Sequence, residues 1–199
     1  MSNQELKEII YKKSFIKEIV INREELQNRI KELGEKITRD YQNENEIIII
    51  CVLRGAVMFF TDIIKYINLP IILDFISVSS YGKSKKSSGI VRIIKDIKEN
   101  IENKNVLIIE DIVDTGLTLI NLKKTLETRN PKSLKVCCLI NKPSQRLVPL
   151  EIDYVGFTIE DKFVVGYGLD YSEFFRNYDF IFVPNEEVLN KAGLYLDED

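Results

Sequence analysis

Three carboxylates, Glu110, Asp111 and Asp114, fall within five residues and run directly into Thr115-Gly116-Leu117-Thr118. Ionised carboxylates only accept hydrogen bonds, so an adjacent pair suits the vicinal hydroxyls of a sugar and repels a phosphate. The turn that follows has the opposite preference. Backbone N–H groups at a small-residue turn, the positive end of an opening helix and the threonine hydroxyls all favour an anion. The two halves together describe a sugar phosphate. A lone Glu-Asp pair would read as a capping turn with solvated charges. Three carboxylates joined to Thr-Gly-x-Thr behind an apolar run favour the ligand.

A second and weaker candidate is Leu53-Arg54-Gly55-Ala56, again at the end of an apolar run. A glycine lets backbone N–H groups come close to a ligand, and an arginine beside it suits a phosphate. Taken alone, the tetrapeptide is equally a plain turn.

Both candidates need a strand that ends where they begin and a helix that starts where they stop. Val106–Ile109 and the apolar stretch within Glu46–Leu53 fit strands buried on both faces of a parallel sheet. After the acidic stretch Leu119, Leu122 and Leu126 mark a helix face, with Lys123, Lys124 and Arg129 in its C-terminal half and Pro131 just beyond. After Gly55, the residues Ala56, Phe60, Ile63, Ile64 and Ile67 carry a helical pattern. The alternation from Glu46 to Ile140 predicts a parallel α/β sheet, in which ligands bind outside the carboxyl ends of the strands. Arg54-Gly55, Glu110–Thr118, Lys142 and Asp170 all fall near that edge.

The remaining elements frame this unit. Glu5–Lys12 is expected as a short helix and Phe15–Ile21 as a strand. Asn22, with Glu25 in the capping-box position, opens an amphipathic helix through Leu26, Ile30, Leu33 and Ile37 to about Tyr41. Ile71–Ser79 and Gly89–Asp96 are expected as antiparallel strands joined by Ser80–Ser88, a polar, positively charged segment that reads as a loop tip in which Tyr81 is out of keeping. Leu134–Ile140, Tyr154–Ile159, Phe163–Val165 and Phe180–Val183 complete the strands. No repeat or linker divides the 199 residues, and one domain is expected.

Composition removes several function classes. A net charge of -3 with mixed signs argues against a general nucleic-acid or membrane surface. No apolar run approaches membrane-spanning length and the opening MSNQELKEII lacks a signal-peptide pattern, so a cytoplasmic location is expected. Cys51, Cys137 and Cys138 sit in apolar runs without metal-ligand spacing and read as buried reduced thiols. Histidine is absent altogether. That rules out a Ser-His-Asp triad, a Cys-His pair and an HExxH zinc site, and leaves acid–base chemistry to Asp, Glu, Lys or Tyr.

The nine residues Glu110-Asp111-Ile112-Val113-Asp114-Thr115-Gly116-Leu117-Thr118 resemble the phosphoribosyl pyrophosphate signature of type I phosphoribosyltransferases. From about Phe15 to Glu187 the chain is similar to hypoxanthine-guanine phosphoribosyltransferases, through VLRGAVMF, VSSYG followed by SSG, and DKFVVGYGLDYSEFFRN. The resemblance implies a parallel twisted sheet flanked by helices, with a small hood from about residues 1–21 and 154–183. It implies magnesium-dependent transfer of a phosphoribosyl group from phosphoribosyl pyrophosphate to a 6-oxopurine, hypoxanthine or guanine, in purine salvage, by a homodimer or homotetramer.

Site roles follow from the same resemblance. Glu110 and Asp111 hold the ribose hydroxyls, Asp114 handles the purine N7 proton, and Thr115, Gly116, Leu117 and Thr118 cradle the 5′-phosphate. Leu53, Arg54, Gly55 and Arg176 meet pyrophosphate, with a non-proline cis peptide often found in the first of these segments. Ser80 and Tyr81 belong to a lid. Lys142 donates to O6, Phe163 stacks on the ring, and the Val164 backbone meets the exocyclic edge. Asp170 completes the purine site and, with Glu110 and Asp111, the magnesium site.

Two departures stand out. Leu117 replaces a lysine found in several members of the family, which implies weaker charge compensation at the phosphate, and Arg54 replaces another. The segment Pro-Ser-Gln-Arg after Lys142 also differs from the family pattern. Within the enzyme class a xanthine-preferring transferase is the alternative. Outside it stands a regulator that keeps the phosphoribosyl pyrophosphate site without catalysis, although the chain shows no basic nucleic-acid surface.

Overall fold

The structure, a computed structural model, describes residues 12–80 and 91–191. The chain forms two compact units, Asn28–Asp161 and Met1–Gln27 with Lys162–Asp199. The larger is built on a six-stranded sheet of β2 (Ile47–Leu53), β3 (Ile71–Ser80), β4 (Val91–Lys95), β5 (Asn105–Val113), β6 (Ser133–Asn141) and β7 (Tyr154–Thr158). Strand order is β4-β3-β2-β5-β6-β7. All neighbours are parallel except β3 and β4, whose antiparallel pairing is the one the hairpin reading requires. The Ile-rich run of β2 is buried on both faces, which is why it reads as continuous rather than alternating hydrophobicity.

Helix α1 (Arg23–Asp40) begins with the expected capping box. The Asn22 N–H donates to Glu25 Oε2 at 2.8 Å, and the Glu25 N–H returns a bond to Asn22 Oδ1 at 3.0 Å. Its Leu26, Ile30, Leu33 and Ile37 are buried. Within the larger unit Arg29 donates to the carbonyls of Val155 and Gly156, tying the helix to the β7 edge strand. Helix α2 (Val57–Ile63) is shorter than its pattern predicts, because the chain tightens into a 3₁₀ turn over Ile64–Tyr66. Helix α3 (Leu117–Glu127) buries Leu119, Leu122 and Leu126 against the apolar side of the sheet, with Ile48, Ile50, Val106 and Ile108 in the same core.

The smaller unit pairs β1 (Ile16–Ile21) with β8 (Ile181–Pro184) antiparallel, and α4 (Glu186–Lys191) follows β8. Phe15 stacks on Phe175 at 4.6 Å between ring centroids and meets Tyr178 and Phe182 edge-on, so this small core is aromatic rather than aliphatic. Lys162 pairs with Glu18 on its surface.

Several expectations are corrected. Strand β7 belongs to the main sheet through its pairing with β6, so the second unit starts at Lys162 rather than near residue 154. Phe163–Val165 is not a strand; one antiparallel bridge, Val165 to Phe182, is all that its short apolar run makes before the Gly166–Leu169 turn. Except for Lys12, the helix expected at Glu5–Lys12 lies outside the described residues, and so does the Ser80–Ser88 segment beyond Ser80. All three cysteines are free and buried. Burial, with Glu110 and Asp111 nearby, pushes the Cys51 thiol up to about 12 and keeps it protonated and unreactive. Among the described residues no helix is long and apolar enough to cross a membrane.

Candidate active site

Glu110 and Asp111 lie inside β5 rather than beyond its end, and Asp114 follows it directly. Pairing with β2 stops at Cys51 opposite Ile109, whereas pairing with β6 runs on to Ile112 opposite Ile140 and Val113 opposite Asn141. The polarity change in the sequence therefore marks where one neighbour leaves, not where the strand stops. The gap that opens beside β5 is a cleft of about 280 Å³ lined by Leu53, Gly55, Val78, Glu110, Asp111 and Asp114 to Gly116, with Thr118 at its helical wall. It lies at the carboxyl ends of β2 and β5, the edge where α/β sheets hold ligands.

The two adjacent carboxylates, Glu110 and Asp111, are unlike in their surroundings. Burial, then the charge of Asp111 and a hydrogen bond between the two carboxyl groups, raises Glu110 well above the usual carboxylate range. Asp111 is anchored by the Ile112 N–H, which donates to Oδ1 at 2.8 Å. Its Oδ2 lies where a side chain on Gly55 would begin, since an ideal Cβ there would sit 1.6 Å from that oxygen. Gly55 is thus small because Asp111 occupies the space. The turn after β2 is thus in direct contact with the carboxyl-terminal part of β5, which nothing in either motif announces. The Leu53–Arg54 peptide is cis, and Arg54 is exposed.

The Thr115–Thr118 turn is shaped by Gly116, whose φ of 81° places it in the left-handed region directly before α3. The Leu117 N–H donates to Thr115 Oγ1 at 3.4 Å, and Thr118 lines the cleft. Asp114 is half exposed, with Oδ2 at 3.8 Å from Nζ of Lys142, itself a buried lysine. The Lys142 N–H donates to the Val113 carbonyl at 3.0 Å, so the lysine is registered against the residue before Asp114. An ammonium donor and a carboxylate acceptor held this close can serve a heterocycle that presents a carbonyl and a ring N–H on one edge.

In the smaller unit Phe163 is 42% exposed and meets the buried Tyr171 in a T-shaped contact at 6.0 Å between ring centroids. Val164 is buried. Asp170 and Arg176 are brought together as an ion pair at 2.7 Å. Arg176 also donates to the Gly168 carbonyl at 2.7 Å, and the Glu173 N–H donates to Asp170 Oδ2. Sequence reasoning assigned these two residues separately and missed their pairing. Ser80 closes β3, and Tyr81 lies outside the described residues. Val78, the first residue of the VSSYG segment, lines the cleft but was not named as a site residue, because an apolar side chain in a strand signals no chemistry by itself.

Among the described residues no group of three or more potential metal ligands is clustered. The Glu110–Asp111 donor set nevertheless fits magnesium, a hard cation that takes one or two carboxylates together with substrate oxygens and water rather than a cage of protein ligands.

Comparison with known proteins agrees with this geometry. The model of the phosphoribosyl transferase domain matches residues 18–172. The chain is 48% identical over 164 residues to hypoxanthine phosphoribosyltransferase of Buchnera aphidicola, covering 82% of this chain and 93% of that one. It is 44% identical over 176 residues to hypoxanthine-guanine phosphoribosyltransferase of Streptococcus thermophilus, covering 88% of this chain and 97% of the relative. The crystal structure of a hypoxanthine phosphoribosyltransferase from Staphylococcus aureus superposes with a TM-score of 0.86 at 44% identity, covering 89% of this chain and 96% of that one. With an acidic cleft at the carboxyl edge of a parallel sheet and these likenesses over most of its length, the chain belongs to the phosphoribosyltransferase family, in its hypoxanthine-guanine branch.

Proposed function

We propose that this chain transfers the 5-phosphoribosyl group from phosphoribosyl pyrophosphate to N9 of hypoxanthine or guanine, releasing pyrophosphate and a purine ribonucleotide. The observation that carries the reading is the convergence of Glu110, Asp111, Asp114 and the Thr115–Thr118 turn on one cleft, with Lys142 beside Asp114.

In this reading Glu110 and Asp111 accept hydrogen bonds from the ribose hydroxyls, and the 115–118 turn holds the 5′-phosphate by its N–H groups and the dipole of α3. Lys142 donates to the purine O6. As the C1–N9 bond forms and the C1–oxygen bond to pyrophosphate breaks, Asp114 accepts the proton leaving N7. Leu53, Arg54 and Gly55 meet the departing pyrophosphate, to which Arg176 also donates, Phe163 stacks on the base, and the Val164 backbone faces its exocyclic edge. Glu110, Asp111 and Asp170 are the residues that would hold magnesium. Magnesium, when bound, supplies positive charge to the pyrophosphate oxygens. Catalysis is then mainly positioning and electrostatics, as a transition state with oxocarbenium character requires. A homodimer or homotetramer belongs to the same reading.

A competition assay among hypoxanthine, guanine, xanthine and adenine, following pyrophosphate release with phosphoribosyl pyrophosphate and magnesium, tests it. Hypoxanthine and guanine should be consumed and adenine ignored. Preference for xanthine corrects the base, and no base-dependent release overturns the reading.

A further inference from the structure

The segment after Lys142 has no role in the site as described so far, yet it packs directly behind the phosphate turn. The Leu147 N–H donates to the Thr115 carbonyl at 3.0 Å. A Cβ built on Gly116 would meet Arg146 Cδ at 3.0 Å, Leu150 Cδ2 at 3.2 Å and Val148 Cγ2 at 3.3 Å. The back of the turn is therefore closed by this segment, and its left-handed glycine rests on the stem of Arg146.

The guanidinium of Arg146 lies at the junction of two strand ends. Nη2 donates to Asn141 Oδ1 at 2.5 Å, at the end of β6, and more weakly to the Val113 carbonyl at 3.4 Å, at the end of β5. The Val113 carbonyl also accepts the Lys142 N–H. One carbonyl thus joins the residue before Asp114, the lysine beside Asp114 and Arg146. The Arg146 Nε is buried without a hydrogen-bond partner among the described residues. Leaving a guanidinium donor unsatisfied is costly, so packing alone does not explain an arginine here.

The turn itself, Asp114-Thr115-Gly116-Leu117-Thr118, contains no cation. An always-charged guanidinium held behind it supplies a positive field to whatever anion the turn binds, without occupying the cleft. We infer that Arg146 is a positioning residue of the 5′-phosphate site, fixing the Thr115–Thr118 turn from behind and supplying the positive charge that the turn lacks. This rests on the proposed function in that the anion is the phosphate of a phosphoribosyl group. It accounts for the Leu117 departure, because charge compensation comes from the neighbouring segment rather than from the turn.

Calorimetric titration of ribose 5-phosphate, paired with steady-state kinetics and thermal unfolding, tests the inference on three variants. Arg146→Met should weaken ribose 5-phosphate binding and raise KM for phosphoribosyl pyrophosphate by about 10-fold, the order expected for one unit charge acting through the turn at a protein's effective dielectric, while kcat changes little. Arg146→Lys should recover part of that loss by restoring the charge. Asn141→Ala, which frees the guanidinium without removing it, should give a smaller loss in the same direction and covers the case in which Arg146→Met does not fold. A purely structural role would lower Tm and leave the affinity of folded protein unchanged. Unchanged ribose 5-phosphate affinity in Arg146→Met, or a lysine variant no better than methionine, overturns the inference while wild-type turnover leaves the proposed function standing. Wild-type protein that binds no ribose 5-phosphate overturns both.

Discussion

Asp74 and Glu110 belong to the same sheet, on β3 and β5, the strands that flank β2, yet their carboxyl groups are held in opposite ways. Against the cost of burial, backbone N–H groups of Glu99, Phe75 and Lys98 at 2.9, 2.7 and 2.6 Å, with Lys95 nearby, hold Asp74 below the usual carboxylate range. Burial and a second carboxylate push Glu110 the other way. Asp74 is satisfied by its own chain and pins the 97–99 segment to β3. Glu110 faces Asp111, an opposition that, in the proposed function, a sugar hydroxyl or a cation relieves. A buried carboxylate with its bonds complete serves the fold, whereas a pair set against each other fits the ligand role proposed for it.

The comparison is broken most directly at Asp114. Asp114→Asn should lose about 10²- to 10⁴-fold in turnover, the usual worth of a positioned proton acceptor, with Tm unchanged. Unimpaired turnover would remove Asp114 from the proton transfer. Gly55→Ala sharpens it next. The new methyl group must displace the Asp111 carboxylate, and a shift of that size should lower turnover about 10²-fold without exposing new surface. A crystal structure with Asp111 unmoved would show that the contact is incidental. Phe163→Ala should raise the purine KM about fivefold, as loss of a stacking contact worth roughly 1 kcal/mol implies. An unchanged KM would count against stacking.

Asp74→Asn is the smallest functional change and the complementary control. Turnover per folded molecule should stay as it is, while unfolding free energy at neutral pH falls by about 1–3 kcal/mol. Because the folded pKa of Asp74 is depressed, its contribution is complete above the unfolded value of about 3.9 and disappears as pH falls through the folded one. Denaturant unfolding of wild type and variant should therefore converge on acidification below about pH 4. Curves that stay equally far apart at low pH would mean that the aspartate acts through shape rather than charge.

Local patterns were legible wherever chemistry and periodicity coincide along the chain. The capping box at Asn22 and Glu25, the buried run of β2 and the Thr-Gly-x-Thr turn all lie within a few residues, so short windows of sequence describe them well. Contacts across the chain were not legible. Gly55 against Asp111, Arg146 behind Gly116 and Arg176 with Asp170 depend on which strand ends meet and where a chain doubles back, and no spacing encodes that. Strand β5 was drawn too short for a related reason. Glu110 and Asp111 interrupt the apolar pattern, but their backbones still pair with β6, which needs no apolar side chain. The short piece Phe163–Val165 failed in reverse, because apolar residues alone do not supply a pairing partner.

The account turns on a transfer that joins sugar to base. Incubating wild-type protein with phosphoribosyl pyrophosphate, magnesium and hypoxanthine, and quantifying nucleotide and pyrophosphate together, tests this most directly. The account predicts one nucleotide linked through N9 for each pyrophosphate released, and no release when the base is omitted. Pyrophosphate released without base, or no nucleotide in its presence, would contradict it.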